Sequence, residues 1–185
     1  MSTRCFIALL PDTATREALG ALRPHRGAGC SPVRVNDLHV TLHFCAALDD
    51  ARVAAASAAL PALATALPPL APAGLAVWTT SPRRAALVLC YQSNDPILVL
   101  RDALGSHFDS ERAAPHAWHP HVTLARGDST HLGDSPGHGI QGLPAFRGHC
   151  LALFASVAGP RGYEHKVLAS QALPSLDEPR HAASP

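Results

Sequence analysis

The tetrapeptide His-Val-Thr-Leu occurs twice, at residues 39–42 and 121–124, and each copy alternates polar with apolar positions. A period of two is typical of a β-strand with one buried face. On such a strand the His and Thr side chains point to one side of the sheet, and the Val and Leu side chains point to the other. Each copy therefore predicts an imidazole and a hydroxyl close together on one face.

The rest of the chain shows two further kinds of pattern. Short apolar or alternating runs predict strands at residues 5–10, 33–35, 75–79, 85–92, 150–157 and 165–173. Apolar residues spaced by three and four predict helices at residues 13–22, 49–67 and 95–109. Pro61 is expected to kink the second helix or to end its first part, and Asp95 followed by Pro96 predicts a capped start for the third. Residues 24–32 and 127–145 have the composition of loops.

Each half of this pattern holds a helix, several strands and one copy of the tetrapeptide. The expected fold is therefore α+β, with two pseudo-symmetric lobes of antiparallel sheet, outer helices and a central cleft between the two tetrapeptides. Residues 1–173 fit a single domain made of these two lobes. Residues 174–185 are expected to form a disordered tail.

Charge and cysteine content narrow the classes of function. A net charge of +1 over 185 residues argues against a broad nucleic-acid-wrapping surface, but it leaves room for a pocket that grips one nucleotide or one RNA end. The five cysteines are scattered, odd in number and without a C-x-x-C pair, which favours reduced thiols over disulfides or a zinc site. The N-terminal apolar run is too short for a signal sequence or a membrane span. We therefore expect a cytoplasmic protein.

Two imidazoles and two hydroxyls facing one cleft suit metal-free acid–base chemistry on a phosphate. The ordinary pKa of histidine, about 6.5, allows it to act as acid or base near neutrality. A threonine hydroxyl can donate a hydrogen bond to a phosphate oxygen. His116, His119 and His121 crowd together, but Pro120 separates them and they form no H-x-x-x-H helix, which argues against a metal site.

Three neighbours of the tetrapeptides are further candidates, and the alternation of sides sorts them. His43 shares the face of His39 on a regular strand, so it is expected to line the cleft without a catalytic role. Arg126 lies on the opposite face of an ideal strand from His121, and it reaches the cleft only through a strand end or a bulge. Phe44 is either a core residue or a ring that stacks on a terminal base.

With their flanks, these residues resemble the 2H phosphoesterase superfamily, whose members carry two H-x-T/S-x motifs. The flanks are similar to the bacterial LigT/ThpR group over residues 4–11, Asp37–Phe44 and Trp118–Arg126. Cys45-Ala46 stands where the group has Leu-Gly, and residues 161–168 rearrange the basic and aromatic positions of its closing hairpin. The similar blocks occur in order over nearly the whole chain.

The resemblance implies hydrolysis of RNA 2′,3′-cyclic phosphodiester ends to 2′-phosphomonoesters, with a reversible 2′-5′ RNA ligase side activity and without metal, ATP or other cofactor. It implies His39 as general acid on the 3′-oxygen and His121 as general base on water, and the sequence leaves the reverse assignment open. Thr41, Thr123 and Arg126 would hold the phosphate oxygens. For Arg126, a solvated surface charge is the competing interpretation.

The implied partner is an RNA 3′ end bearing a 2′,3′-cyclic phosphate, or a cyclic nucleotide, and we expect the protein itself to be a monomer. His165 and Lys166, in the last predicted strand, carry a weaker signal for holding phosphate. Two other functions stay open: a phosphodiesterase for another cyclic or 2′-5′-linked nucleotide, and a non-catalytic RNA-end binding protein. Two intact His-x-Thr pairs favour an enzyme, because a binding protein needs no pair of proton-transfer groups.

Overall fold

The structure, a computed structural model, describes residues 2–27, 29–81, 83–108, 118–128, 132, 142–159 and 162–176. Within these ranges the strands are β1 (Thr3–Pro11), β2 (Cys30–Pro32), β3 (Val40–Leu48), β4 (Pro72–Ser81), β5 (Arg84–Tyr91), β6 (His121–Gly127), β7 (Gly148–Gly159) and β8 (Gly162–Ala172). The α-helices are α1 (Thr13–Ala21), α2 (Asp50–Leu63) and α3 (Asp95–Phe108). No helix of the described part is long and apolar enough to cross a membrane.

The strands form one antiparallel sheet in the order β4-β5-β6-β3-β1-β7-β8, with β2 paired to β6. At the centre, β3 and β6 carry the two tetrapeptides and meet at the register pair Val40–Val122. The sheet is pseudo-symmetric about this point. On one side the order outward is β3, β1 and β7, and on the other side it is β6, β5 and β4. β8 extends the first half, and the order of the sheet gives it no counterpart in the second. The predicted α+β fold of antiparallel sheet and helices is confirmed.

The helices pack on one face of this sheet, called here the helix face. Its core joins residues from the inner strands to residues from each helix, among them Ile7, Leu9, Leu89, Leu19, Leu60 and Leu104. The opposite face, called here the cleft face, carries a smaller buried cluster of Phe6, Ala8, Ala152 and Phe154. β1 is buried on both faces from Cys5 to Leu9, which explains its unbroken apolar sequence.

The segment before the first tetrapeptide differs from its sequence pattern. The strand predicted at residues 33–35 is wrong: Val35–Asp37 form a 3₁₀ turn, and the short strand β2 lies in the stretch predicted as a loop. The N–H of Asp37 donates to the carbonyl of Arg34 at 2.9 Å, and their side chains form an ion pair at 2.6 Å. These local hydrogen bonds satisfy groups that a strand would have paired with a neighbour.

Two helix boundaries also differ from the sequence patterns. Helix α2 ends at Leu63, short of residue 67, and Pro61 lies in its last turn. Helix α3 is capped by Asn94, whose side-chain oxygen accepts a hydrogen bond from the N–H of Ile97 at 3.1 Å, so Asp95 is its first residue rather than its cap. Most of the loop predicted at residues 127–145, and residues 177–185 of the predicted tail, lie outside the described residues.

Candidate active site

Each tetrapeptide strand contains a β-bulge at the same position. In β3, Thr41 pairs with Ala8 and His43 pairs with Ile7, so Leu42 is an extra residue. In β6, Thr123 pairs with Val88 and Ala125 pairs with Leu87, so Leu124 is the extra residue. A bulge of this kind lets two successive residues face the same side, which reverses the alternation beyond it.

The bulge in β6 places Arg126 on the cleft face. Leu124 and Ala125 are both fully buried, and Arg126 follows them on the side of His121 and Thr123. The side chain of Arg126 is exposed, and its positive charge lowers the pKa of both His39 and His121. The irregularity that Arg126 needs in order to reach the cleft is therefore present.

The matching bulge in β3 moves His43 away from the cleft. His43 is 8% exposed and pairs with Ile7 of the helix face. The ring of His43 lies 6.3 Å from the ring of Phe108 in α3. Burial lowers the pKa of His43, and the charge of Arg101 lowers it further. The expectation that His43 shares the face of His39 and lines the cleft is wrong, because that expectation assumed a regular strand.

Phe44 takes the position in β3 that Arg126 takes in β6. It pairs with Phe6, the two ring centroids lie 6.1 Å apart, and its side chain is 71% exposed. A ring with this exposure is not a core residue. Of the two interpretations of Phe44, the geometry favours a ring available for stacking.

His39 lies against a cluster of aromatic rings immediately before β3. Its ring stacks on Phe6 at 5.2 Å and on Phe154 at 5.8 Å, and the ring of His165 meets it edge-on at 5.9 Å. Burial lowers the pKa of His39 to about 4, and repulsion from Arg126, and from His165 when that ring is protonated, adds to the shift. The hydrogen bond to Asp37 opposes this shift but does not offset it.

His121 has a different aromatic neighbour in the other lobe. The indole of Trp78 lies 4.4 Å from its ring, measured between centroids. Trp78 pairs with Ala86 in β5 and corresponds by symmetry to Phe154, which pairs with Phe6 in β1. Burial lowers the pKa of His121, and the charges of Arg126 and His119 lower it further.

Both tetrapeptide histidines are held in the same tautomer. Nδ1 of His39 lies 2.7 Å from the carbonyl oxygen of Asp37, and Nδ1 of His121 lies 2.9 Å from the carbonyl oxygen of His119. A carbonyl only accepts, so each neutral ring carries its proton on Nδ1 and leaves Nε2 as an unprotonated nitrogen. Each ring is thus oriented to take or return a proton through Nε2.

The two threonines share the face of these histidines. Thr41 and Thr123 lie before the bulges, so the regular alternation places each hydroxyl beside the imidazole of its own tetrapeptide. The carbonyl of Thr41 also accepts a hydrogen bond from the indole N–H of Trp118 at 3.2 Å. This bond ties the approach to the second tetrapeptide to the strand of the first.

Several residues of the site were not predicted from the sequence. Phe6, Trp78 and Phe154 fell within predicted strands, but the period-two pattern does not tell which strands become neighbours. His165 had only a weak signal and proves to be a third imidazole on the cleft face. Lys166, which pairs with Ala155 of the helix-face register, points away from the cleft. In the described ranges no group of three His, Cys, Asp or Glu side chains is placed to bind a metal ion.

Comparison with known proteins gives both a family match and structural neighbours. The model of the 2′-5′ RNA ligase superfamily matches residues 10–135. LigT of Escherichia coli, complexed with 3′-AMP, is 23% identical over 94% of this chain and 99% of that chain, with a TM-score of 0.66. In its complex with ATP the TM-score is 0.69, at 22% identity over 93% and 98% of the two chains. TT0787 of Thermus thermophilus is 23% identical over 94% and 99%, with a TM-score of 0.65. No curated protein sequence is significantly similar to the chain.

Proposed function

Because the chain belongs to the 2′-5′ RNA ligase superfamily, we propose that it hydrolyses RNA ends bearing a 2′,3′-cyclic phosphate to 2′-phosphomonoesters. The observation that carries the proposal is the pair of histidines with Nδ1 fixed on a backbone carbonyl and Nε2 left for proton transfer. Their strands meet at the pseudo-twofold pair Val40–Val122. Two such groups on opposite sides of one phosphorus are what an in-line displacement at a phosphodiester requires.

In the proposed reaction His121 takes a proton from the attacking water, and the new P–O bond forms as the bond to the 3′-oxygen breaks. His39, in its protonated form, gives a proton to the departing 3′-oxygen. Thr41 and Thr123 donate hydrogen bonds to the non-bridging oxygens, and Arg126 balances the charge that builds on them. The same displacement, with a ribose 5′-hydroxyl in place of water and the 3′-oxygen again leaving, forms a 2′-5′ linkage.

The enzyme is expected to work as a monomer in the cytoplasm and without ATP or metal. The complexes of E. coli LigT with 3′-AMP and ATP support a nucleotide-bearing substrate. A direct test incubates the protein with an RNA oligonucleotide that ends in a 2′,3′-cyclic phosphate, in the presence and absence of EDTA. Formation of an RNA end that carries a 2′-phosphate, at an EDTA-insensitive rate, supports the proposal. A 3′-phosphate product contradicts the proposed reaction. Activity only on another cyclic or 2′-5′-linked nucleotide identifies a phosphodiesterase with a different substrate, and binding without turnover favours an RNA-end binding protein.

The dependence of kcat/KM on pH is expected to be bell-shaped, with its maximum below pH 6.5. The reaction needs one imidazole charged and one neutral, and kcat/KM reports the pKa values of the free enzyme. Both pKa values are lowered from 6.5, so the protonated acid is lost as pH rises towards neutrality. In the complex the anionic phosphate raises both pKa values, so the optimum of kcat lies at higher pH than that of kcat/KM. A kcat/KM optimum above pH 7, from initial rates on the same oligonucleotide, would contradict this.

Phe44→Ala is expected to raise KM for the RNA end by about 5- to 150-fold with little change in kcat. This range corresponds to the loss of one stacked base, about 1–3 kcal/mol, felt equally by substrate and transition state. Phe44→Trp keeps the stacking surface and should keep KM. Val99→Ala, which removes an exposed apolar side chain from α3, is the matched control. If Phe44→Ala raises KM for an abasic cyclic phosphate as much as it raises KM for the full RNA end, the ring does not stack on a base.

A further inference from the structure

The cleft contains a third histidine that the proposed reaction does not use. His165 in β8 pairs with Ser156, two residues beyond Phe154 on the cleft face. Its ring meets Phe6 edge-on at 4.9 Å and His39 edge-on at 5.9 Å. Among the described strands β8 has no counterpart beyond β4, so in that part of the chain the additional imidazole lies on the His39 side of the cleft.

The ring nitrogens of His165 are used differently from those of the other two histidines. Its Nδ1 is buried and has no hydrogen-bond partner among the described residues, whereas Nδ1 of His39 and of His121 is bonded to a carbonyl. A proton on a buried nitrogen without an acceptor forfeits a hydrogen bond, whereas a proton on Nε2 can be donated to a ligand. The favoured tautomer of His165 therefore presents an N–H at Nε2.

Charges of both signs act on His165. The carboxylate of Asp37 raises its pKa, and the guanidinium groups of Arg126 and Arg34 each lower it. That carboxylate is already paired with Arg34 at 2.6 Å. Burial and the two cations lower the pKa of His165, which favours its neutral form, and the same cations attract a phosphate group.

We propose that His165 contacts the substrate, donating its Nε2 proton to a phosphate oxygen on the His39 side of the cleft without taking part in proton transfer. The proposal rests on the proposed function of the cleft. In this arrangement His39 and His121 use Nε2 for proton transfer, His39 giving a proton and His121 taking one, and His165 donates a hydrogen bond for binding. Identical tetrapeptides would then work in unequal surroundings, with an extra phosphate contact supplied by β8 to one side only.

Two substitutions of His165 separate a donor from a packing residue. His165→Phe keeps a ring against Phe6 and His39 but has no nitrogen, and His165→Gln keeps an amide N–H near the position of Nε2 but has no ring. A phosphate donor predicts a loss of kcat/KM of about 10- to 100-fold for the Phe variant, with substantial recovery in the Gln variant and both limbs of the pH profile retained. The proposal would be overturned if the Phe variant kept a higher kcat/KM than the Gln variant, or if either variant lost one limb of the pH profile.

A second measurement does not depend on turnover. ¹⁵N-histidine spectra of the wild-type chain, assigned with His165→Phe, report the tautomer of each ring and its response to inorganic phosphate. The expected result is an Nε2–H tautomer for His165, an Nδ1–H tautomer for His39 and His121, and a phosphate-dependent shift at Nε2 of His165. An Nδ1–H tautomer for His165, or an Nε2 chemical shift of His165 that does not change when phosphate is added, would overturn the proposal. If the wild type fails to open a cyclic phosphate, the proposed function fails, and these spectra still decide whether His165 binds phosphate.

Discussion

His39→Ala and His121→Ala each reduce kcat for opening a 2′,3′-cyclic RNA end by about 10²- to 10⁴-fold, the contribution of one general acid or base. KM changes little, because the phosphate contacts of the threonines and Arg126 remain. The double variant is expected to be scarcely slower than the worse single variant, since the two proton transfers belong to one displacement. The test is to compare the single-turnover rates of the three variants with that of the wild type on the same oligonucleotide.

The controls for these variants come from the same chain. His39→Asn keeps a donor close to the position of Nδ1 for the carbonyl of Asp37, which lies 2.7 Å from Nδ1, but it cannot transfer a proton. It should be as slow as His39→Ala and melt near the wild-type temperature. His25→Ala, at an exposed histidine, should retain the full rate. A His39→Asn variant with near wild-type kcat would refute the role of His39 in proton transfer.

A substrate with a better leaving group assigns the acid and the base. A phosphodiester that releases p-nitrophenolate needs little protonation of its leaving oxygen, so it spares the general acid and still needs the base. The proposed assignment is supported if the rate of His39→Ala recovers on this substrate and the rate of His121→Ala does not. The opposite pattern reverses the roles, which the low pKa of His39 in the free protein makes a real alternative.

Arg126→Gln is expected to lower kcat/KM by about 10²- to 10³-fold, the usual cost of removing one group that stabilises charge in the transition state. It should also move the optimum of kcat/KM to higher pH. The sign follows from electrostatics: the charge of Arg126 lowers the pKa of both His39 and His121, so its removal lets both pKa values rise. A full pH–rate profile of wild type and variant measures both effects.

Two further variants separate the charge of Arg126 from its geometry. Arg126→Lys keeps the cation but loses the planar two-point contact, so the pH optimum should stay while part of the rate is lost. Arg52→Gln removes an exposed cation from α2 and should change neither quantity. An unchanged rate in Arg126→Gln would place the guanidinium outside the site. A lower rate with an unmoved optimum would mean that its charge does not act on the histidines in solution.

Much of the fold and of the candidate site can be predicted from the chain itself. The alternating tetrapeptides predict strands with an imidazole and a hydroxyl on one face, and β3 and β6 carry them. The helical spacing predicts the three helices, and Asp12, Asp49 and Asn94 accept hydrogen bonds from the first turns of α1, α2 and α3. These signals are local, because they depend on residues at most a few positions apart.

Predictions fail where a side chain depends on a neighbouring strand. His43 was expected in the cleft and lies on the helix face, while Phe44 and Arg126 reach the cleft face through the bulges. A bulge is a property of the pairing between two strands, so one strand's own alternation gives no sign of it. Within the last hairpin, the pairing with β7 puts His165 on the cleft face and Lys166 on the helix face.

By itself, then, the sequence determined which residues can perform the chemistry and the periods of the elements that carry them. The tertiary structure decided how those residues meet. It paired the tetrapeptides at Val40–Val122, placed bulges at Leu42 and Leu124, and surrounded His39 with rings that lower its pKa to about 4. The physical reason is that composition and period are properties of one segment, whereas register, burial and electrostatic field arise only when distant segments pack together.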